Sequence, residues 1–265
     1  MMKIVDVHTH AFPDFLAQKA IEKLSQNAYA VPYHNGTING LLESMDKAGV
    51  YQSWVQSIAT KPDQEENILK WSIEIKSDRI IPFISVHPES NIYIEILKKA
   101  KDNGIKGVKL HPHYQDFFIN DTKLYKFYED ILKEDFIILF HSGKDDGFKG
   151  YDNASAKRVS DMIKRFEGEK IILAHYGAYK EWNEVLDLIA GKDVYLETSF
   201  AINIGGKEIF KKILDKHNID KILFGTDSPW NDVKKEIELL KNIELRKVIL
   251  EKIFYKNSEK LLSKN

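Results

Sequence analysis

The sequence predicts an α/β fold in which eight strand–helix pairs close into a (β/α)8 barrel. Strand-like and helix-like segments alternate eight times, about 25–35 residues apart, with no linker or low-complexity stretch between them. Several strand segments are unbroken apolar runs, which is typical of a parallel sheet covered by helices. The length of 265 residues suits one such barrel, so we expect residues 1–265 to form a single TIM-barrel domain.

The first predicted strand ends in two histidines. Ile4 and Val5 favour a strand, and His8 and His10 follow at alternate positions, which predicts that both side chains lie on one face. The other predicted strands are residues 51–58, 79–86, 105–110, 136–140, 170–174, 194–198 and 221–225.

Helices are predicted between these strands. Leu41, Leu42 and Met45 recur at helical spacing, and Gly49 ends that helix, as Gly104 ends a later one. The predicted helices are residues 14–26, 38–48, 64–76, 92–102, 122–133, 154–166, 181–190 and 207–217, and charged helices follow them.

The composition excludes several classes of protein. Hydrophobic residues make up 43% of the chain and charged residues 30%, which is ordinary for a globular protein. The net charge of −1 gives no electrostatic footprint for nucleic acid or for an anionic membrane. Cysteine is absent, so a metal would need His, Asp, Glu or a modified Lys as ligands. No apolar run has the length of a membrane span or the form of a signal peptide, which predicts a cytoplasmic protein.

Residues that can bind a metal follow most of the predicted strands. In α/β barrels the chemistry lies at the carboxyl ends of the strands, and closure of the barrel brings these ends into one ring. The residues at or just beyond these ends are His8, His10, His87, His111, His141, His175 and Asp227. Three imidazoles and one carboxylate suit a catalytic Zn²⁺ that keeps a position open for water. Such an ion lowers the pKa of the water toward about 7 and polarises a substrate carbonyl.

Five motifs mark the strand ends in order along the chain. They are VDVHTH at residues 5–10, GVKLHP at 107–112, LFHSG at 139–143, LAHYG at 173–177 and LFGTDSP at 223–229, and KNSEKLL at 256–262 follows as a terminal helix. The ordered set spans essentially the whole chain and resembles the amidohydrolase superfamily, particularly the amidohydrolase-related branch that includes the aminocarboxymuconate-semialdehyde decarboxylase-like proteins.

The resemblance implies roles for individual residues. The implied metal ligands are His8, His10, His141 and Asp227. Asp227 would also act as general base, and His175 would be the catalytic histidine or an additional ligand. We expect one zinc ion, with a second ion left open.

Strand four leaves two interpretations open. Lys109 and His111 share one face by alternation, so both could point into the barrel. Binuclear members of the superfamily place a carboxylated lysine on this strand, which makes Lys109, His111 and His175 candidates for a second metal or for contact with substrate. Alternatively, Lys109 extends outward or pairs with a carboxylate.

Three enzymatic functions are compatible with these residues. The first is a metal-dependent hydrolase that attacks a small amide, lactone or ester with a metal-activated water. The second is a non-oxidative decarboxylase of the same branch. A decarboxylase must hold a substrate carboxylate, commonly with arginine. None of the four arginines follows a predicted strand; they are Arg79, Arg158, Arg165 and Arg246. Lys144, or an arginine of a neighbouring subunit, would therefore have to bind the carboxylate.

The third function is a metal-dependent nuclease of the TatD type. Those proteins carry a glutamate on strand four, where this chain has Lys109, and the net charge gives no basic surface for a phosphate backbone. A barrel that only stores metal is the non-enzymatic alternative.

The expected partner is a small-molecule substrate. No nucleic acid or membrane partner is expected, and a homo-oligomer is left open. The substrate contacts stay unknown, although many aromatic residues follow strands and suggest an aromatic-rimmed pocket. These residues are Phe12, Tyr33, Tyr114, Phe117, Phe118, Phe148, Tyr151, Phe200 and Trp230, together with His34.

Overall fold

Eight strands pair in chain order in one parallel sheet, which confirms the predicted (β/α)8 barrel. The computed structural model describes residues 2–28 and 30–263. The strands are β1 (Val5–Thr9), β2 (Gln52–Gln56), β3 (Ile80–Ile84), β4 (Gly107–Leu110), β5 (Ile137–Phe140), β6 (Ile171–Leu173), β7 (Tyr195–Glu197) and β8 (Ile222–Leu223).

Helices alternate with the strands and cover the outside of the sheet. They are α1 (Asp14–Ala28), α2 (Ile38–Ala48), α3 (Glu65–Ile75), α4 (Tyr93–Asp102), α5 (Tyr125–Lys133), α6 (Ala156–Phe166), α7 (Trp182–Leu188), α8 (Lys207–Lys216), α9 (Val233–Lys241), α10 (Lys247–Glu251) and α11 (Asn257–Ser263). Within the described ranges, no helix is both long and apolar enough to cross a membrane.

The seam between β8 and β1 closes the barrel. The backbone N–H of Val7 donates to the carbonyl of Phe224 at 2.9 Å, and that of Asp227 donates to the carbonyl of His8 at 2.7 Å. A third bond runs from the N–H of His10 to the carbonyl of Ser228 at 2.6 Å. The last two bonds include backbone atoms of predicted metal-site residues, so the site and the seam are built from the same stretch of chain.

Local sequence signals fix both ends of α2, whose bounds match the predicted residues 38–48. The side chain of Thr37 accepts a hydrogen bond from the backbone N–H of Gly40 and thereby caps the start of α2. Gly49 ends the helix with a left-handed backbone (φ 73°), which a residue without Cβ adopts at little cost.

Apolar side chains fill the barrel interior. Val5, Phe83, Leu139 and Leu223 come from four different strands and belong to one buried cluster, as barrel packing requires. Space for the Phe83 ring depends on Gly107, because a Cβ at that position would lie 2.1 Å from Phe83 Cε2. This packed floor lies below the polar residues at the carboxyl ends of the strands.

β1 contains an irregularity that simple strand alternation does not predict. Val5 and Val7 belong to the interior cluster, so an undistorted strand would direct His8 and His10 outward. The pairing register with β2 shifts between Asp6 and Thr9, and His8 and His10 point into the mouth of the barrel. The expectation that the two histidines share a face is therefore met, but a bulge directs that face inward.

Candidate active site

A cavity of about 1120 Å³ opens at the carboxyl ends of the strands. Of the nine histidines, five line it, and Lys109, Asp145 and Asp227 lie among them. These histidines are His8, His10, His111, His141 and His175. His87 follows β3 as predicted but does not line the cavity; its Nδ1 instead accepts a hydrogen bond from the N–H of Glu89 at 3.2 Å.

His8, His10 and Asp227 form a group whose side-chain atoms converge on one point. The His8 and His10 Nε2 atoms are 3.2 Å apart, and Asp227 Oδ1 is 3.3 Å from the first and 3.0 Å from the second. All three residues are buried. Ligands of a tetrahedral zinc ion lie about 3.3 Å apart when its bonds are about 2.0–2.1 Å long. The group therefore has the spacing of three ligands of one ion.

The other ring nitrogens of these two histidines are hydrogen-bonded to groups that only accept. His8 Nδ1 lies 2.9 Å from a carboxylate oxygen of Glu197, and His10 Nδ1 lies 2.9 Å from the backbone carbonyl of Gln56. Each Nδ1 must therefore carry a proton and donate it, so in a neutral ring the lone pair lies on Nε2. Burial, and then the charge of Lys109, lower the pKa of His8 well below its ordinary value, so His8 is neutral.

Two imidazole nitrogens and one carboxylate oxygen, each able to bind a metal, thus face one another. A cation at the point of convergence would stabilise this arrangement. The chain's own cation at this point is the ammonium of Lys109, whose Nζ lies 3.2 Å from His8 Nε2. Burial lowers the pKa of Lys109 to about 8, against the opposing effects of Asp227 and Glu197. Lys109 points into the barrel, as one of the two interpretations of strand four predicts.

His175 and His141 form a second contact beside this group. His175 Nε2 is 3.1 Å from His141 Nδ1, and the His8 and His175 ring centroids are 5.4 Å apart. Burial lowers the pKa of both His141 and His175. His175 and Asp227 have left-handed backbones, with φ of 56° and 62°. Such angles are uncommon for residues other than glycine and recur at functional sites.

His111 and Asp145 form a third cluster at the edge of the site. The His111 ring stacks on that of His141 with a centroid distance of 4.1 Å, and His111 Nε2 lies 3.4 Å from Asp145 Oδ2. Asp145 Oδ2 is also 3.9 Å from His141 Nε2, so the three side chains are close enough to hold an ion. Burial raises the pKa of Asp145 to about 6.

The four metal ligands implied by the resemblance are therefore divided between neighbouring groups. His8, His10 and Asp227 share one point, while the nearest ring nitrogen to His141 belongs to His175. The role of His141 as a ligand stays a prediction, as do the catalytic role of His175 and the second-metal roles of Lys109, His111 and His175.

Three residues of the site were not predicted from the sequence. Glu197 ends β7, Ser199 follows it, and Asp145 lies in the loop after β5. Glu197 follows the same strand-end rule that selected the histidines, so its position was a usable signal. Asp145 lies within a loop and not at a strand end. The strand-end rule therefore could not predict it.

Apolar and cationic side chains form the cavity wall. Of the aromatic residues predicted to surround the pocket, four line it, namely Phe12, Tyr114, Phe200 and Trp230. Lys70, Lys144 and Lys180 contribute positive charge, and Lys180 is paired with Asp146 at 2.6 Å. None of the chain's four arginines, all of which are described, lines the cavity.

Comparisons with known proteins point to one family. The amidohydrolase family model matches residues 5–264. No curated protein sequence matches the chain significantly.

Solved structures share the whole barrel at low sequence identity. An uncharacterized TIM-barrel protein from Bordetella bronchiseptica is 17% identical over 98% of both chains, with a TM-score of 0.78. A probable 2-pyrone-4,6-dicarboxylic acid hydrolase from Acinetobacter baumannii, with citric acid bound, is 17% identical over 98% of this chain and 99% of that one, with a TM-score of 0.70. A dihydroxybenzoic acid decarboxylase from Polaromonas sp. JS666, with manganese and 2-nitroresorcinol bound, is 14% identical over 99% of this chain and 97% of that one, with a TM-score of 0.71.

Proposed function

Because the chain belongs to the amidohydrolase family, we propose that it is a metal-dependent hydrolase acting on a small carbonyl compound such as an amide, a lactone or an ester. The observation that carries this proposal is the convergence of three potential ligand atoms, from His8, His10 and Asp227, within 3.3 Å of one another. The chemical nature of these atoms, and not their spacing alone, favours a divalent cation.

The residues present fit such an ion. His8, His10 and Asp227 would hold it, and His141 would be a further ligand. A nitrogen-rich set suits zinc, and the manganese in the Polaromonas decarboxylase makes that metal the first alternative. The predicted candidates for a second ion are Lys109, His111 and His175, and His111 lies with His141 and Asp145 in a group close enough to hold one. When bound, the ion would activate a water molecule and polarise the substrate carbonyl.

Asp227 and His175 have the charge states that proton transfer requires. Burial alone would raise the pKa of Asp227, but its contacts with His8 and His10 lower it to about 2, so the side chain is a carboxylate at neutral pH. Its Oδ1 faces the histidines, and Asp227 would take a proton from the attacking water as general base. Neutral His175 would first accept a proton and would then pass it to the leaving group.

The cavity suits a small organic molecule with an apolar part. Phe12, Phe200 and Trp230 line its wall above the polar base, and the volume of about 1120 Å³ exceeds that of a small substrate. We accordingly propose a small-molecule substrate and no role for nucleic acid or membrane. A cytoplasmic location and the oligomeric state remain proposals from the sequence.

Decarboxylation is the second candidate, and the lysines of the cavity wall favour it. A substrate carboxylate needs a cation, and Lys144 is exposed in the cavity wall, with no carboxylate of the described residues paired with it. The lack of arginine among the lining residues favours hydrolysis, because the planar guanidinium is the better match to a carboxylate.

A substrate screen with two readouts tests the proposal. The metal-loaded protein is incubated with lactones, amides, esters and aromatic acids, and both water addition and CO2 release are measured. Asp227→Asn serves as the inactive control. We expect hydrolysis that depends on Asp227. CO2 release without water addition would instead establish the lyase, and a protein that binds no divalent metal would refute both candidates.

A further inference from the structure

Glu197 lies behind the candidate metal site and accepts four hydrogen bonds. Its Oε1 accepts from His8 Nδ1 at 2.9 Å, from the backbone N–H of His175 at 2.7 Å and from Ser199 Oγ at 2.7 Å. Its Oε2 accepts from the backbone N–H of Ser199 at 2.8 Å. The side chain is completely buried. The carboxylate therefore directs its lone pairs at protein donors on two sides of the site.

Ser199 extends this network to a second histidine. Its hydroxyl has a single proton, which it donates to Glu197, so toward His175 it can only accept. His175 Nδ1 lies 2.8 Å from Ser199 Oγ and must donate. The lone pair of His175 then resides on Nε2, the atom that faces His141 at 3.1 Å.

We propose that Glu197 is a positioning residue that fixes the Nδ1-protonated tautomer of two site histidines, of His8 directly and of His175 through Ser199. One carboxylate thereby aims the Nε2 lone pairs of both rings into the cavity. The importance of this control for metal affinity rests on the proposed function, whereas the tautomers themselves do not depend on it.

The geometry separates this role from that of a metal ligand. His8, His175 and Glu197 are close enough together to be considered as a metal group. However, Glu197 Oε1 already accepts three protons, and a ligand must offer a free lone pair. An outer carboxylate that orients a ligating histidine is the arrangement in which such groups raise metal affinity, typically by about 10–100-fold.

The neighbouring strand leaves space for this carboxylate. A Cβ at Gly225 would lie 2.1 Å from Glu197 Oε2 and 3.1 Å from His8 Cβ. Glycine at position 225 is therefore a condition for the Glu197–His8 contact, which adds a steric requirement to the hydrogen-bond evidence.

The test reads tautomers directly in metal-free protein. Histidine is labelled with ¹⁵N, and two-bond ¹H–¹⁵N correlation spectra report which nitrogen of each ring carries the proton. The variants are Glu197→Gln, Ser199→Ala and Ser199→Thr, which retains a hydroxyl. Glu65→Gln is the matched control, because Glu65 is also a buried carboxylate that accepts from a serine hydroxyl, Ser90, but contacts none of the cavity histidines.

We expect that in Ser199→Ala only His175 loses its fixed Nδ1 proton and also populates the Nε2-protonated tautomer. Ser199→Thr should restore protonation at Nδ1. In Glu197→Gln neither His8 nor His175 should keep a fixed Nδ1-protonated tautomer. Zinc binding should weaken by about 10–100-fold in a chelator competition. Glu65→Gln should change neither. A His175 that keeps its Nδ1 proton in Ser199→Ala would overturn the proposal, as would an unchanged His8 in Glu197→Gln. If Glu197→Gln does not fold, the variants Ser199→Ala and Ser199→Thr test the proposal without it. A wild-type protein that binds no divalent metal yet shows these tautomers would refute the proposed function only.

Discussion

Replacing Lys109 by methionine removes an ammonium from the interior of the barrel and keeps most of the side-chain volume. Lys109 is 1% exposed, and burial lowers its pKa from the ordinary 10.5 to about 8. This lowering corresponds to about 3 kcal/mol, because one pKa unit is about 1.4 kcal/mol. In metal-free protein the charged form of Lys109 therefore opposes folding by roughly that amount at neutral pH.

The sign of the pH dependence follows from proton binding. Between pH 8 and 10.5 the unfolded chain holds a proton on Lys109 that the folded chain has released, so the free energy of unfolding rises with pH in this window. The wild-type protein should gain up to about 3 kcal/mol relative to Lys109→Met as the pH rises from 7 to about 10.5. Below pH 8 this contribution is constant.

Urea unfolding of both proteins across this range measures the effect. Metal is removed by chelation, and buffers are free of CO2 so that Lys109 keeps its amine. Lys98→Met, a change at an exposed lysine of α4, is the matched control. Its difference from wild type in the free energy of unfolding should not change between pH 8 and 10.5. A difference between wild type and Lys109→Met that stays constant with pH would refute the reasoning, and so would a difference that falls between pH 8 and 10.5.

Three further predictions concern the metal, the floor of the barrel and the substrate. His10→Ala should lower zinc affinity at least 100-fold in isothermal titration, because it removes a converging ligand, whereas His111→Ala should retain most of it; the reverse order would contradict the ligand assignment. Gly107→Ala should destabilise the fold by about 1–3 kcal/mol in urea unfolding, because the added methyl overlaps the Phe83 ring, and an unchanged midpoint would mean that the ring moves freely. Lys144→Ala should raise KM about tenfold for carboxylate substrates and leave neutral esters unaffected, and equal changes for both would exclude a carboxylate contact.

The order of elements could be predicted because each carries a local signal. Leu41 and Met45 show the helical period of α2, and Gly49 ends that helix both in the sequence and in the structure. The strands are shorter than predicted: residues 221–225 reduce to β8 at Ile222–Leu223. Apolar character continues beyond the last ladder hydrogen bond, so composition alone overestimates strand length.

The sequence predicted that several candidate ligands lie close together, but not which of them contact one another. Strand ends selected His8, His10 and Asp227, and the structure brings those three together. Which histidines face one another depends on the bulge in β1 and on the left-handed backbone at His175, and neither has a signal in a single sequence. The outer carboxylate Glu197 did not stand out because β7 ends without a histidine.

The seam between β8 and β1 gives the metal site a particular relation to the synthesis of the chain. His8 and His10 leave the ribosome with the first strand, but Asp227 arrives only with the eighth, after nearly all the other strands and helices have been made. A nascent or truncated barrel can offer two imidazoles and no carboxylate, and it should release an ion that the closed barrel retains. Ion retention would therefore report completed ring closure. An ion bound by His8, His10 and Asp227 would also link β1 to the segment after β8. It would thereby stabilise the closed barrel relative to an open sheet.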